Sequence, residues 1–553
     1  MSPPRLSKKK KAKLILDAQQ QRRQQYWTYG TLALIVFFFA LVRVRLLHIP
    51  LERDEGEYAY GGQLLLRGID PYHLCYTMKL PGTAAAYSVI LLLFGQTAAA
   101  IHLGLLLVSS GTSILIYFLT SRHWGSVAGL AAAATFALLS AGWGVLGFAA
   151  HATQFVVFFA TAGWLALLFA IEKRRPLWLG GSGLLFGAAF LMKQPGIFFG
   201  IFGFLYLLYS HWRAGWRWRA VAAEAAIFLA ACGLPIAVTL ASVWASGDGK
   251  NFWLWLVSYS GKYGSILTAQ QIYFDFDYSA RRVFGQSTWI WVAALAGLSA
   301  LIWNKRVRND VFFVAGFVLF SCIAVCPGFY FRQHYFVLLL PAASLLCGLA
   351  VYSGMTLFQE RPGLRSSAKL LPAALFVLIL GLSVYQERAY FFEMDPVKIC
   401  RMTYPGMPFP EAVEIGDYLK SHSSDGDRIA VLGSEPEVYF YSGRLSATGY
   451  IYTYPLTEPQ PLAPVMQEQM IAEITASHPR FVVLVNDRSS WVNIVNREPD
   501  MTLYRWTQLY LSSGYQVRGI IDLLKTGSEF HWGDFQNYKP RSPSRIVIFE
   551  RAA

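Results

Sequence analysis

Long apolar stretches recur along most of this chain and constrain its fold more than any other feature. A run of about 20 apolar residues is long enough to cross a bilayer as a helix. The chain is 55% hydrophobic and only 15% charged, whereas an average soluble domain carries about 25% charge. We therefore predict an α-helical polytopic membrane protein with 11 spans. The predicted spans cover residues 27–47, 99–120, 126–144, 155–171, 177–192, 195–210, 220–244, 287–303, 311–326, 335–353 and 370–386.

The distribution of basic residues predicts the orientation of the spans. Every second loop is basic, which places these loops and the N-terminus in the cytoplasm and the C-terminus outside an inner membrane. The net charge of +15 comes partly from residues 1–26, which we interpret as a disordered basic tail that contacts anionic membrane lipids rather than nucleic acid. Arg43 and Arg45, at the outer end of the first span, are compatible with this orientation if they snorkel.

The last part of the chain, residues 388–553, changes in character. Short β-branched runs at 427–433, 481–486 and 545–549 predict strands, and 465–477 has helical periodicity. Alternating strands and helices predict a C-terminal extracytoplasmic α/β domain. The membrane domain then covers residues 27–387, with long outer loops at 48–96 and 245–286.

An acidic cluster, Arg53-Asp54-Glu55-Gly56-Glu57-Tyr58, follows the first span directly. Carboxylates held against a bilayer are costly and often serve a chemical role. Asp54 and Glu55 are therefore candidates for a general base, with Glu57 and Tyr58 as orienting groups or substrate contacts. The alternative is a solvated loop in which the acids pair with Arg53.

Two lysines on the predicted outer face are candidates for binding a phosphate. Lys79 precedes a turn at Pro81, where an ammonium can act as a point charge, although it would also suit a snorkelling position. Lys193 lies at a Pro195-Gly196 break between two apolar runs. At that depth, a charge and backbone groups that have lost their helical hydrogen bonds need a cavity or an anionic partner.

A third basic position, Arg332, lies at the outer mouth of a predicted helix, beside His334 and Tyr335. Arginine suits bidentate recognition of phosphate. We expect His334 and Tyr335 to contact the substrate, because flat side chains can stack on a sugar. A structural aromatic belt is the alternative.

The second outer loop adds two further arginines, Arg281 and Arg282, as donor phosphate contacts, unless Asp275 and Asp277 neutralise them. Carboxylates in one outer loop and cations in several others are the groups that transfer from a lipid phosphate requires. P-loop, H-E-x-x-H and G-x-S-x-G motifs do not occur in the sequence, so ATP hydrolysis, zinc proteolysis and serine hydrolysis have no support.

These motifs, in this order, resemble the GT-C superfamily of polyprenyl-phosphate-sugar-dependent glycosyltransferases. The branch concerned is that of protein O-mannosyltransferases and the lipid A aminoarabinose transferase. The resemblance covers about residues 27–390 and rests on Asp54-Glu55 with Tyr58, on Lys79 with Pro81, on Lys193-Gln194, and on the segment from Arg332 to Pro341. The sequence Lys79-Leu80-Pro81 departs from the more usual Lys-Pro-Pro.

The resemblance implies a membrane enzyme that transfers a hexose or pentose with inversion from a polyprenyl phosphate to a lipid, glycan or protein outside the cytoplasm. It implies that the first outer loop carries the base, and Asp54 matches the acidic position best, with Glu55 as its rival. Some relatives bind a divalent metal near the acids and others do not, so a metal is left open. The alternative function is a transporter or flippase of a lipid-linked or anionic solute.

Overall fold

Helices account for most of the chain before the C-terminal domain in the computed structural model, which describes residues 8–263, 267–360, 366–458, 460–491, 502–524, 527–533, 535 and 537–552. The helices of this part are α1 Lys8–Arg45, α2 Arg53–Leu66, α3 Pro71–Leu74, α4 Gly82–Phe94, α5 Ala98–Ala141, α6 Ala152–Lys173, α7 Pro176–Met192, α8 Ile197–Arg213, α9 Trp218–Ala245, α10 Gly249–Trp253, α11 Ser260–Tyr263, α12 Ala269–Gly285, α13 Thr288–Trp303, α14 Val311–Val325, α15 Leu340–Gln359 and α16 Leu371–Gln386.

The helical character of the membrane part is confirmed, but the predicted number of spans is not. Among the described residues, seven helices are long and apolar enough to cross a membrane, or eight if the pair α12–α13, bent by 93°, forms one span. Each predicted window overlaps a helix. Several of these helices are short, however; α7 and α8 have 17 residues each, which is at the lower limit for a crossing.

Helix α5 is a hairpin rather than one continuous rod. Its backbone breaks at Trp124 and Gly125, where Gly125 has a φ of 81°, a conformation that glycine adopts without strain. A Cβ atom on Gly129 would lie 2.8 Å from the carbonyl oxygen of Tyr117. Residues twelve positions apart approach this closely only if the chain has folded back. The hairpin accounts for the two predicted spans 99–120 and 126–144.

The basic N-terminal segment differs from the prediction. Helix α1 already begins at Lys8, so the expectation of a disordered tail is wrong from that residue onward. Residues 1–7 lie outside the described residues. The segment between Lys8 and the first apolar window consists mainly of Lys, Ala, Leu, Gln and Arg, which are strong helix formers and extend the membrane helix.

The two arginines at the C-terminal end of α1 bind backbone carbonyl groups instead of snorkelling. Arg43 is buried and donates to the carbonyl oxygens of Gly147 and Ser140 at 2.6 and 2.9 Å. Arg45 donates through Nε to the carbonyl of Phe391 at 2.8 Å. Both arginines therefore satisfy carbonyls at breaks in the helices, a role that sequence alone did not indicate.

The C-terminal region forms an α/β domain, as predicted. Its elements are α17 Pro396–Thr403, α18 Phe409–Ser421, β1 Arg428–Leu432, α19 Glu437–Ser442, β2 Leu445–Ser446, α20 Tyr454–Thr457, α21 Ala463–Ser477, β3 Phe481–Asn486, α22 Thr502–Gly514, β4 Tyr515–Leu524, β5 Gly527–Trp532 and β6 Arg545–Arg551. The six strands form one mixed sheet in the order β2-β1-β3-β6-β4-β5. Strands β2, β1 and β3 are parallel, and β6, β4 and β5 are antiparallel to their neighbours.

Helix α2, which contains the acidic cluster, packs directly against this domain. Tyr60 and Leu64 share a buried core with strands of the sheet, and the ring of Tyr60 lies 5.1 Å from that of Tyr439 in α19. At Gly56, an added Cβ atom would lie 2.5 Å from the backbone nitrogen of Glu437. The domain therefore fixes the position of the acidic cluster by packing against the same helix.

A substitution at Gly56 tests this close approach. Gly56→Ala should lower the free energy of unfolding by about 1–3 kcal/mol, because the methyl group forces α2 and α19 apart. Thermal unfolding in detergent measures the effect. Gly181→Ala in α7 is the matched control, since a Cβ atom there meets no atom within 4 Å. Equal unfolding temperatures for the two variants would contradict the contact.

Candidate active site

The acids near the start of helix α2 have different environments. Glu52 is the N-cap, and its side chain accepts a hydrogen bond from the backbone N–H of Glu55 at 2.9 Å. The side chain of Glu55 accepts in turn from the N–H of Glu52 at 3.3 Å. This reciprocal capping satisfies donors at the helix N-terminus. It uses Glu52 and Glu55 for structure and leaves Asp54, in the same turn, facing another way.

Glu55 is completely buried and is held by one donor from helix α5 and one from the segment between α5 and α6. Its Oε1 atom accepts from His102 Nε2 at 3.0 Å and from the backbone N–H of Ala150 at 2.7 Å. His102 Nδ1 lies 2.9 Å from the carbonyl of Leu47. Burial would raise the pKa of Glu55, but the charge and hydrogen bond of His102 lower it below the ordinary value. Glu55 therefore has no exposed surface for a substrate in this arrangement.

Asp54 keeps part of its surface open and is surrounded by nitrogen atoms. Its side chain is 28% exposed, and Oδ1 accepts from Lys79 Nζ at 2.8 Å. Oδ2 lies 3.9 Å from both His151 Nδ1 and His334 Nε2. Burial raises the pKa of Asp54, but Lys79, followed by the two histidines, lowers it well below its usual range. The carboxylate is therefore ionised.

The two histidines form a stacked pair beside Asp54. Their ring centroids are 3.9 Å apart, with an angle of 15° between the planes. His151 immediately precedes α6, and neither of its ring nitrogens has a hydrogen-bond partner among the described residues. Burial lowers the pKa of His151 to about 4, so its imidazole is neutral. It can act as a ligand, or as an acceptor for a group that enters the site.

One atom each from Asp54, His151 and His334 lie within 4.8 Å of one another. One carboxylate oxygen and two imidazole nitrogens are a suitable donor set for a divalent cation such as Zn²⁺. The unpartnered nitrogens of His151 fit that role. The position of Lys79 is unfavourable for a bound cation, because its ammonium already pairs with Asp54.

Lys79 bridges two carboxylates of the cluster. Its Nζ atom lies 2.8 Å from Asp54 and 2.5 Å from Glu57, and it also lies 4.5 Å from the ring centroid of Tyr58. Burial would lower the pKa of Lys79, but the charges of Asp54 and Glu57 raise it well above the usual value. The predicted substrate contacts Glu57 and Tyr58 are thus the immediate supports of Lys79.

The break between α7 and α8 brings Lys193 to the same region. Gln194, the next residue, donates to the carbonyl of Met78 at 2.9 Å, which joins the break to the segment that carries Lys79. Lys193 Nζ lies 3.9 Å from the ring centroid of Tyr335, whose ring meets that of His334 at 4.8 Å. Burial lowers the pKa of Lys193 to about 7.

The segment with Arg332 forms a tight turn next to Lys193. Phe329 and Phe331 have positive φ angles of 57° and 42°, which are unfavourable for side chains of this size and often accompany functional sites. The guanidinium lies 5.7 Å from the ring centroid of Tyr330. The charge of Arg332 contributes to the lowered pKa of Lys193, after burial and Lys79.

Arg281 and Arg282 have their described contacts on their own helix, α12. Arg281 pairs with Asp277 at 2.7 Å and is 78% exposed. The guanidinium of Arg282 lies 4.3 Å from the ring of Tyr278. Asp277 therefore neutralises Arg281, as the alternative interpretation of the sequence expected. A role for either arginine at the donor phosphate stays a prediction.

The structure therefore joins most of the predicted site residues through direct contacts. It brings together Asp54, Glu57, Tyr58, Lys79, Lys193, His334 and Tyr335. Sequence reasoning missed His151 and His102. His151 had one available signal, because it is a polar residue next to a long apolar span.

Comparison with known proteins agrees with this architecture. A family model described as dolichyl-phosphate-mannose-protein mannosyltransferase matches residues 79–238. The solved structure of ArnT from Cupriavidus metallidurans bound to undecaprenyl phosphate has a TM-score of 0.60 and 14% identity, covering 95% of this chain and 98% of that chain. The apo state of the same protein has a TM-score of 0.55 and 14% identity, with the same coverage. A search of curated proteins found no match.

The chain therefore has the GT-C fold, and the resemblance drawn from its motifs is confirmed. The ArnT-like architecture extends over both the membrane part and the C-terminal domain, because nearly the whole of each chain is matched. Family and fold together indicate an integral membrane glycosyltransferase.

Proposed function

We propose that this protein is an inverting glycosyltransferase that moves one sugar from a polyprenyl phosphate to an acceptor outside the cytoplasm. The acceptor is a lipid, a glycan or a protein, and the sugar is a hexose or a pentose. The proposed orientation places the N-terminus in the cytoplasm, and the acidic cluster and the C-terminal domain on the outer face of the inner membrane. Undecaprenyl phosphate bound to the similar ArnT supports a polyprenyl phosphate as the carrier.

The position of Asp54 carries this proposal. Its partly exposed carboxylate is the acid of the cluster that is ionised and open to a substrate, while Glu55 is fully enclosed. Lys79 is bonded to it, and Lys193 lies behind the pair of Tyr335 and His334. An anionic base next to the ammonium groups of Lys79 and Lys193 matches a reaction in which a proton is removed and a phosphate departs.

In the proposed reaction, Asp54 accepts the proton of an acceptor hydroxyl or amine. The oxygen or nitrogen attacks the anomeric carbon from the face opposite the phosphate. The bond between this carbon and the phosphate oxygen breaks, and its electron pair leaves with the polyprenyl phosphate. One displacement of this kind inverts the anomeric configuration.

Cations stabilise the phosphate, which gains a negative charge as it departs. Lys193 and Arg332 are the proposed contacts, because an ammonium and a guanidinium form strong charge-assisted hydrogen bonds with a phosphate. Lys79 orients Asp54 and can share its charge with the phosphate. A divalent cation held by Asp54, His151 and His334 would add positive charge at the same place.

An assay of polyprenyl phosphate release tests the function. Purified protein is incubated with a panel of polyprenyl-phosphate hexoses and pentoses, and membranes from cells that lack the gene serve as the acceptor. We expect one donor to release polyprenyl phosphate only when protein and acceptor are both present. The absence of release from every donor of both classes would overturn the proposal.

Lys193→Gln should raise the KM for the donor by about 10- to 100-fold, because a hydrogen bond to a charged group contributes about 1.5–3 kcal/mol. In the unsubstituted protein the ammonium form of Lys193 decreases as pH rises through about 7. Donor KM should therefore increase from pH 6 to pH 8, and this increase should disappear in the variant. Initial rates at several donor concentrations measure both effects.

Lys173→Gln is the matched control for Lys193. This lysine is the last residue of α6, at the end of the helix opposite His151. It is 56% exposed and pairs with Glu172. Its replacement should leave donor KM unchanged. If donor KM is unaltered in Lys193→Gln at pH 6, Lys193 does not contact the donor.

A further inference from the structure

Glu57 is a buried carboxylate that the reaction itself does not use. Its side chain is only 3% exposed. Oε1 accepts a hydrogen bond from the hydroxyl of Thr77 at 2.5 Å, and Oε2 accepts from Lys79 Nζ at 2.5 Å. Glu57 and Asp54 therefore share the same ammonium, and the position of Lys79 depends on the balance between the two carboxylates.

The C-terminal domain supplies another donor to Glu57. Tyr452 lies between β2 and α20, and its hydroxyl is 2.6 Å from Oε2 of Glu57. The same hydroxyl is 3.2 Å from the carbonyl of Arg53 in the first turn of α2. Tyr452 and Lys79 thus meet at one carboxylate oxygen, although they come from different domains.

The segment that carries Tyr452 is well fixed. The next residue, Thr453, donates its backbone N–H to Ser434 Oγ at 3.1 Å, and Tyr454 donates its hydroxyl to the carbonyl of Ser489 at 2.8 Å. Nearer α3, the carbonyl of Gly449 accepts from the N–H of Tyr76 at 2.7 Å. These bonds hold the segment to its own domain and to the first outer loop, so Tyr452 is held in place.

We infer that Tyr452 is a positioning residue of the transferase, which holds Glu57 and thereby keeps Lys79 on Asp54. The C-terminal domain then completes the active site. The inference rests on the proposed function, because it concerns the geometry of the same base.

The physical reason lies in the competition for Oε2 of Glu57. With Tyr452 in place, this oxygen accepts from two donors, and Lys79 is shared with Asp54 at 2.8 Å. Without the hydroxyl, Lys79 is the one donor left to that oxygen among the described residues, so Glu57 competes more strongly with Asp54 for the ammonium. The ammonium then moves away from Asp54, and the base loses the group that orients it. Donor contacts at Lys193 and Arg332 are not altered.

Tyr452→Phe tests this, since the ring is retained and only the hydroxyl is lost. The assay uses the polyprenyl-phosphate sugar that gives turnover with the unsubstituted protein, and membranes from cells lacking the gene as acceptor. We expect kcat to fall about 10-fold or more, as is typical for groups that orient a functional residue. Donor KM should stay within about twofold. Thermal unfolding in detergent verifies that the variant is folded.

A double variant provides a readout that a merely structural role would not change. If Tyr452 acts through Glu57, then adding Tyr452→Phe to Glu57→Gln should lower kcat by less than about twofold further. Tyr450→Phe is the matched control, because its hydroxyl donates to Gln469 at 2.9 Å within the C-terminal domain. Its kcat should equal that of the unsubstituted protein.

The inference is overturned if Tyr452→Phe retains full kcat, if its effect is confined to donor KM, or if its effect is additive with that of Glu57→Gln. Failure of the proposed function itself gives a different result, because then the unsubstituted protein releases no polyprenyl phosphate from any donor. The two failures are thereby distinguished.

Discussion

Asp54→Asn should reduce kcat by about 10³-fold, within the range that a general base contributes. The amide has nearly the same shape as the carboxylate and can still accept a hydrogen bond from Lys79, which lies 2.8 Å from Oδ1. It cannot accept the proton of the acceptor, however. The thermal stability of the variant should therefore change far less than its turnover, which is measured as release of polyprenyl phosphate.

Asp425→Asn is the matched control for this substitution. Asp425 belongs to the C-terminal domain, its side chain is 96% exposed, and it pairs with the buried Arg444, away from the acidic cluster. We expect its turnover to be unchanged. Full turnover in Asp54→Asn would rule out Asp54 as the base, whatever the behaviour of the neighbouring acids.

Glu55→Ala should lower the free energy of unfolding by about 3–5 kcal/mol, because it leaves His102 buried without its ionic partner. The side chain of His102 is 3% exposed and lies 3.0 Å from Glu55. The backbone N–H of Ala150 also loses its acceptor. Thermal unfolding in detergent measures this loss, with His102→Ala as a second variant that breaks the same pair.

Glu55→Gln separates this structural role from a catalytic one. The amide oxygen can still accept from Ala150 and His102, so the variant should keep most of its kcat while it becomes moderately less stable. If Glu55→Gln lost turnover as completely as Asp54→Asn while remaining folded, Glu55 would be the base and the present assignment would be reversed.

Hydrophobic periodicity was sufficient to locate most elements of this fold. Each predicted span overlaps a helix, and the predicted strands near 427–433, 481–486 and 545–549 coincide with β1, β3 and β6. The number of crossings was not predictable from periodicity alone, because short helices such as α7 and the 93° bend between α12 and α13 depend on tertiary packing. Strands β4 and β5 were missed, since one face of this hairpin is only partly buried and its apolar pattern is weak.

The charged residues of the candidate site could be predicted for a local reason. Asp54, Lys79, Lys193 and Arg332 are charged residues next to apolar runs, where charge is unfavourable without a function. Which residues they contact could not be predicted in this way. Asp54 meets His151, and Glu55 meets His102, across 97 and 47 positions of the sequence, respectively, so only the fold brings these groups together.

The difference between Asp54 and Glu55 illustrates this limit. The two acids are adjacent in sequence, and both follow a membrane span, so no local pattern distinguishes a base from a structural carboxylate. The turn of α2 separates them: Asp54 faces Lys79 and remains partly exposed, whereas Glu55 points into the membrane part, at His102 and the backbone of Ala150. Burial decides which of them can reach an acceptor.

Mass spectrometry of envelope lipids and glycans tests the central claim most directly. Three strains are compared: cells with the gene, cells without it, and cells whose copy carries Asp54→Asn. We expect one sugar modification to be absent from both the second and the third strain, with accumulation of the corresponding polyprenyl-phosphate sugar. If the Asp54→Asn strain carries the same sugars as cells with the unsubstituted gene, the proposed site and reaction are wrong.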